Sequence, residues 1–379
     1  MPSQSDSPSL YVGLMSGTSM DGVDAALVEF GNRTCRVIEA KSIAYPEKLR
    51  AALFSASRTP GKCTVDRIGE LDHWVGECFR DATLELLAEA GADAKVVAAI
   101  GSHGQTLRHQ PQAERPFTLQ IGDPNIIAAG TGIATIADFR RRDIAVGGQG
   151  APLAPAFHRW LFSSKDGALC ILNIGGFANV TILPTEDGHV SGFDTGPGNS
   201  LMDSWANAKL GVNFDDNGDW AKSGRVSETL LSAMLEDSYF GKPPPKSTGF
   251  EYFDVNWIEQ CVLSSGITGI EDADLQATLA ELTARTIADA IRSSADDVTE
   301  ILVCGGGVHN SHLMQRLRCQ LPDITVNSTE SRGLHPDWIE ATAFAWLAKR
   351  YLDGKPGNIP AVTGASRPAT LGALYSGCG

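Results

Sequence analysis

Twice in this chain an apolar run breaks on glycines and small polar residues, then resumes as a second apolar run. The first instance is YVGLMSGTSMDGVDAALVEF (11–30) and the second is GALCILNIGGFANVTILP (167–184). Each reads as two strands joined by a glycine-bearing turn. Each is also followed by another strand that runs into glycines: VVAAIGSHGQT (96–106) after the first, HVSGFDTGPGNS (189–200) after the second. The repetition is one of pattern, not of letters, and it calls for two related halves with ligand-holding turns between strands. Helical spacing of apolar residues fills the intervals: 66–90 with Gly91 as its stop, 274–294, the stretch after CGGGV, and 337–354. Strands alternating with helices make the class α/β. A polar, proline-rich surface connection is predicted over 241–253, and the tail TGASRPATLGALY (363–375) is predicted to return a short apolar stretch to the first half.

At 379 residues the chain is long for one core. Two domains are therefore expected: 1–135, joined by about 365–379, and 136–364. The formal charge of −14 argues against nucleic acid or an anionic membrane surface as partner. It leaves room for a small anion held by local donors and a metal ion. Eight cysteines never approach CxxC spacing, which points to reduced, largely buried thiols. No apolar run nears 18 residues and the first ten have no signal-peptide character, so a cytoplasmic protein is expected.

The stretch SGTSMD (16–21) admits three readings. A protease nucleophile at Ser19 would need a histidine and a carboxylate, and in the subtilisin order nothing precedes it to supply them. A plain turn would use the same small residues. An anion cradle would converge backbone N–H groups of Gly17, Thr18, Ser19, Met20, Asp21, Gly22, Val23 and Asp24 on phosphate oxygens. No Walker P-loop sequence occurs, so the cradle would work without its lysine. Asp21 and Asp24 would repel phosphate alone, but Mg²⁺ between them and the phosphate, with Asp21 as ligand, removes the conflict. Gly175 and Gly176 in the second hairpin, and Gly305, Gly306 and Gly307 in CGGGV, are the companion turns. DDNGD (215–219) has its glycine misplaced for a calcium loop and reads as a polar loop.

Together the three turns resemble the actin, sugar-kinase and heat-shock ATPase superfamily. That resemblance implies two related domains with an ATP cleft between them, hairpins on the phosphates and the late turn on adenosine. MSGTSMDGVD, GSHGQT, DFRRRDIAVGGQGAPLAP (138–155), NIGGFAN, GFDTGPGN (192–199) and DWIEATAFAWLA (337–348) resemble, in order, the anhydro-N-acetylmuramic acid kinase family. The resemblance implies ATP with Mg²⁺, and a kinase that opens the 1,6-anhydro bridge of its amino sugar with water and phosphorylates the 6-hydroxyl. A role in peptidoglycan recycling and a homodimer are implied with it. Asp194 in GFDTGPGN, read as lying on a turn after a strand, is the expected catalytic base. Substrate contacts are expected from Glu340, His103 and Arg140, the last as a bidentate partner for the sugar's lactyl carboxylate. An ordinary sugar kinase and a non-catalytic ATP-dependent sensor are the competing readings.

Overall fold

The computed structural model describes residues 9–163, 167–185, 188–244, 246–249, 252–295 and 297–377. The chain packs as two compact units, one running to Leu161 and resuming at Trp338, the other spanning Phe162–Asp337.

In the first unit, β1 (Ser9–Ser16), β2 (Gly22–Phe30) and β3 (Cys35–Ala44) form an antiparallel meander, because each turn between them is short. β4 (Val97–Gln110) then pairs parallel with β1, after the crossover helix Val65–Ala90. That helix starts where Thr64 accepts from the Arg67 N–H and stops at Gly91, whose φ of 61° suits glycine. β5 (Phe117–Ile121) pairs antiparallel with β4, and β6 (Thr135–Ala137) pairs parallel with it. In the second unit β7 (Ala168–Ile174), β8 (Phe177–Leu183) and β9 (Ser191–Pro197) repeat the meander. β10 (Val298–Cys304) pairs parallel with β7, and β11 (Thr325–Ser328) parallel with β10. The orders β3-β2-β1-β4-β6 and β9-β8-β7-β10-β11 are the same topology, with the same strand senses. The pattern-level repeat of the sequence is thus a repeat of fold, the duplicated α/β architecture that the resemblance implies. Each unit has its own apolar core, built in the second around the buried helix Asp272–Ser294.

The unit boundaries differ from the 135/136 and 364/365 expected from sequence. The helix Ile339–Leu352 lies on the first sheet, because Gly13 and Gly101, in register on β1 and β4, give it a flat seat. A Cβ on Gly13 would stand 1.8 Å from the Ala341 carbonyl oxygen, and one on Gly101 2.0 Å from that of Phe344. Only glycines allow backbone to rest on backbone. Beyond this helix, the strand β12 (Ala373–Tyr375) pairs with β6, as the tail predicted.

Two local expectations are corrected. GSHGQT is no turn: β4 runs straight through it. Leu14 pairs with Ser102 and Ser16 with Gln105, so β4 carries one extra residue there, a bulge at Gly104 with φ 74°. Asp194 lies inside β9, not on a turn after a strand. Among the described residues seven cysteines are free thiols; Cys170, Cys261 and Cys304 are buried, whereas Cys319 is exposed. Cys378 lies outside the described residues. The connection at 241–253 is exposed over 241–244, and residues 245, 250 and 251 of it lie outside the description. Among the described residues no helix is long and apolar enough to cross a membrane.

Candidate active site

The turn of the first hairpin comprises Gly17–Asp21, closed by the Met20 N–H on the Gly17 carbonyl. Met20 takes a left-handed φ of 51° and tucks its side chain into the core, leaving Thr18 and Ser19 exposed above. Ser19 Oγ donates to Asp21 Oδ1 at 2.8 Å, so its partner is a carboxylate and not the histidine a protease would need. Gly22, Val23 and Asp24 are not part of the turn: they already belong to β2. Gly22 is glycine because a Cβ there would come within 2.3 Å of the Ile43 carbonyl oxygen, and Val23 is fully buried. Underneath, two buried residues brace the turn. Ser16 Oγ lies 2.6 Å from the Gly22 oxygen and 2.7 Å from Gln105 Oε1, while Gln105 Nε2 donates to the Gly17 oxygen at 3.1 Å. Neither residue is distinguished by sequence pattern alone.

The second hairpin and the late glycine turn sit together in the second unit. The N–H groups of Gly198 and Ser200 bond the Gly176 carbonyl, and that of Asn199 bonds the Gly175 carbonyl, tying the hairpin to the start of the helix Ser200–Leu210. In CGGGV the three glycines have different jobs. Gly305 has φ 78°, and a Cβ on it would stand 2.3 Å from Asn173 Oδ1; one on Gly307 would stand 2.4 Å from Ile174 Cγ2. Both are packed against the end of β7. A Cβ on Gly306 would meet nothing within 4 Å, so this is the position that leaves the backbone open to a ligand.

Asp194 is half-buried, and burial pushes its carboxyl up to about 6, against the opposing pull of the Thr248 N–H that bonds Oδ2 at 3.1 Å. Its backbone is clamped as well: its N–H donates to the Lys246 carbonyl at 3.0 Å, and Tyr239 Oη donates to its carbonyl at 2.9 Å. A carboxylate with a pKa near the operating pH, held by one oxygen, is the form a general base takes. Lys246 and Thr248 come from the 241–253 stretch, which sequence reading treated only as a surface connection, and Tyr239 from just before it.

His103, Arg140 and Glu340 are brought together in the first unit. Arg140 Nε donates to His103 Nε2 at 2.9 Å, and Arg140 Nη1 to the Gly150 carbonyl at 2.8 Å. His103 therefore carries its proton on Nδ1. It stays neutral, because burial, aided by the guanidinium, holds its pKa well below the usual imidazole range. Burial also lowers Arg140 to about 10, partly offset by Glu340 and Asp143, so it remains a cation at neutral pH. Glu340 is accessible to water yet closely surrounded by protein; that crowding raises its pKa, Arg140 opposes the rise and Asp24 adds to it. With Nε and Nη1 engaged, Arg140 is left with Nη2 as the guanidinium nitrogen without a hydrogen bond among the described residues. The Nε edge is thereby taken, and the donors left for the bidentate grip expected from sequence are those of Nη2 and the second hydrogen of Nη1.

Among the described residues no group of three or more His, Cys, Asp or Glu forms a ready metal cage. Mg²⁺ does not need one, since it is commonly held by one or two carboxylates, water and phosphate. Exposed Asp21, a hard oxygen donor beside the first turn, fits that mode.

A twice-repeated sheet of this topology, with a glycine turn in each hairpin and an open glycine after β10, is the architecture implied by the resemblance to the actin, sugar-kinase and heat-shock ATPase superfamily. Comparison with known proteins narrows this. The family model described as Anhydro-N-acetylmuramic acid kinase matches residues 9–377, and the chain belongs to that family. A relative of that name from Xanthomonas campestris pv. campestris (strain 8004) is 50% identical over 377 residues, covering 99% of each chain. Another, from Saccharophagus degradans, is 47% identical over 372 residues, covering 97% of this chain and 99% of its own. Among solved structures, the activator of the 2-hydroxyisocaproyl-CoA dehydratase from Clostridium difficile with bound ADPNP aligns with a TM-score of 0.47 at 11% identity, covering 89% of this chain and 92% of that one.

Proposed function

We propose that the chain converts 1,6-anhydro-N-acetylmuramic acid, water and ATP into N-acetylmuramic acid 6-phosphate and ADP. Asp194 takes a proton from water as the water oxygen bonds to the anomeric carbon. The C1–O6 bond breaks, and O6 with its electron pair attacks the γ-phosphorus, expelling ADP. The setting of Asp194 supports this reading most directly: its carboxyl is half-buried and held through Oδ2 by the Thr248 N–H, leaving Oδ1 without a hydrogen bond among the described residues, and burial raises its proton affinity to a pKa of about 6. The exposed Gly17–Ser19 turn and the Gly175–Gly176 turn would offer backbone N–H groups to the phosphates, with Gly306 beside adenosine. Mg²⁺ held through Asp21 would neutralise phosphate charge. Arg140 would meet the lactyl carboxylate through Nη2, neutral His103 keeps the guanidinium in place, and Glu340 would accept from a sugar hydroxyl.

Mass spectrometry of the product formed from ATP, Mg²⁺ and the anhydro sugar tests the reading. In ¹⁸O-water the label is expected on the anomeric hydroxyl and not in the phosphate, measured before the reducing end exchanges. Phosphorylation of a reducing sugar without need of the bridge would overturn it in favour of an ordinary kinase. ATP hydrolysis with no phosphosugar would overturn it in favour of a sensor. The family resemblance also leads us to propose a cytoplasmic homodimer serving peptidoglycan recycling; light scattering at twice the 40.2 kDa chain mass is the expected result for the dimer.

A further inference from the structure

The helix Phe139–Ala145 carries Arg140 and, one turn on, Asp143, a fully buried carboxylate outside the proposed chemistry. Asp143 Oδ1 accepts from Asn358 Nδ2 at 2.6 Å and from Thr363 Oγ1 at 2.9 Å, and Oδ2 accepts from the Gly150 N–H at 2.8 Å. Gly150 thus has its N–H on Asp143 and its carbonyl under Arg140 Nη1. Its φ of 71° is a glycine conformation, and a Cβ on nearby Gly148 would stand 2.2 Å from Asp143 Oδ2. The loop is wrapped as tightly around the carboxylate as backbone allows. The Gln149 N–H on the Thr363 carbonyl, at 2.7 Å, fastens it a second time.

We infer that Asp143 is a positioning residue: through Gly150 it fixes the Arg140 guanidinium, and Asn358 and Thr363, more than two hundred residues away in sequence, set how strictly the site demands an acidic sugar. The inference rests on the proposed reading of Arg140 as the group that meets the lactyl carboxylate. A buried carboxylate is used because three donors converge on it, and each would be left unpaired beside an apolar side chain. Orientation matters because Arg140 Nε and Nη1 already donate to His103 and Gly150, so the donors that remain, on Nη2 and the second hydrogen of Nη1, point where those two bonds set the guanidinium plane.

The test compares kcat/KM for the anhydro sugar with that for 1,6-anhydro-N-acetylglucosamine, which lacks the lactyl group, in the full-length enzyme. Thr363→Val removes one donor at constant shape. It is expected to lower kcat/KM for the acidic sugar about 10-fold, mainly through KM, as loss of a charge-assisted contact would. The neutral analogue and the KM for ATP should stay within about two-fold, and Thr363→Ser should restore the preference. Asp143→Asn should act in the same direction and more strongly; if it fails to fold, Thr363→Val still decides. Adding Thr363→Val to Arg140→Gln should cost nothing further on the acidic sugar, because both act on one contact. An equal fall for both sugars, or additive effects, would overturn the inference. If Arg140→Gln erases the acid preference and Thr363→Val does not, the inference fails alone; if Arg140→Gln leaves the preference intact, the reading of Arg140 fails with it.

Discussion

Replacing Asp194 by Asn should abolish activity and make the protein more stable. The Asn side chain has the same shape, and its carbonyl oxygen can take the Thr248 N–H that Oδ2 takes now, at 3.1 Å. Its amide accepts no proton, so product formation should fall by ~10²–10⁴, the usual loss on removing a general base. The stability gain follows from the raised pKa. Burial lifts the carboxyl from 3.8 to about 6, so the folded state binds the proton more tightly than the unfolded state. Stability from this group is therefore full below pH ~4, declines as pH rises from there through about 6, and is level above. A rise of about two units corresponds to about 3 kcal/mol at most, and partial water access reduces it to about 1–2 kcal/mol. Asn escapes that cost. For a unit of this size it amounts to a Tm higher by about 2–8 °C at pH 7.5, shrinking to nothing near pH 4. Scanning calorimetry at both pH values, with coupled ADP release and product mass at pH 7.5, measures both effects. The wild-type kcat/KM should also fall with unit slope below pH about 6. A variant that retains a tenth of the activity, or one that melts lower at pH 7.5, would refute the reasoning.

Gly306→Val should raise the KM for ATP while leaving the Tm nearly unchanged, because the position faces open space; Gly305→Ala should instead lower the Tm through its 2.3 Å clash with Asn173 Oδ1. Gly13→Val should abolish soluble expression, since its Cβ alone would sit 1.8 Å from the Ala341 oxygen; a soluble, fully active variant would discount the glycine seat. Gln105→Leu, which removes the brace on the Gly17 carbonyl, should weaken ATP binding about 10-fold with little change in the KM for sugar, as judged by titration calorimetry and initial rates.

The two strand–turn–strand units, the long helix stopped by Gly91 and the CGGGV turn were legible in the sequence, because each is governed by residues adjacent in the chain. Helical and strand periods, caps and glycine turns act over a few residues and leave a local mark. Pattern also marked His103, Arg140 and Glu340, but not that they meet. What lay beyond sequence reading are the features made by distant contact. GSHGQT looked like a turn because its glycines are locally permissive, yet pairing with β1 and β5 on either side keeps it in a strand. The helix Ile339–Leu352 belongs with the first sheet because Gly13 and Gly101 remove the side chains that would hold it off. Asp143 resembles any helix-end carboxylate until Asn358 and Thr363 fold back onto it. A buried polar group must find its partners wherever the fold brings them. Local propensity therefore drew the elements, while close packing and hydrogen-bond satisfaction, which take no account of distance along the chain, decided what the site is made of.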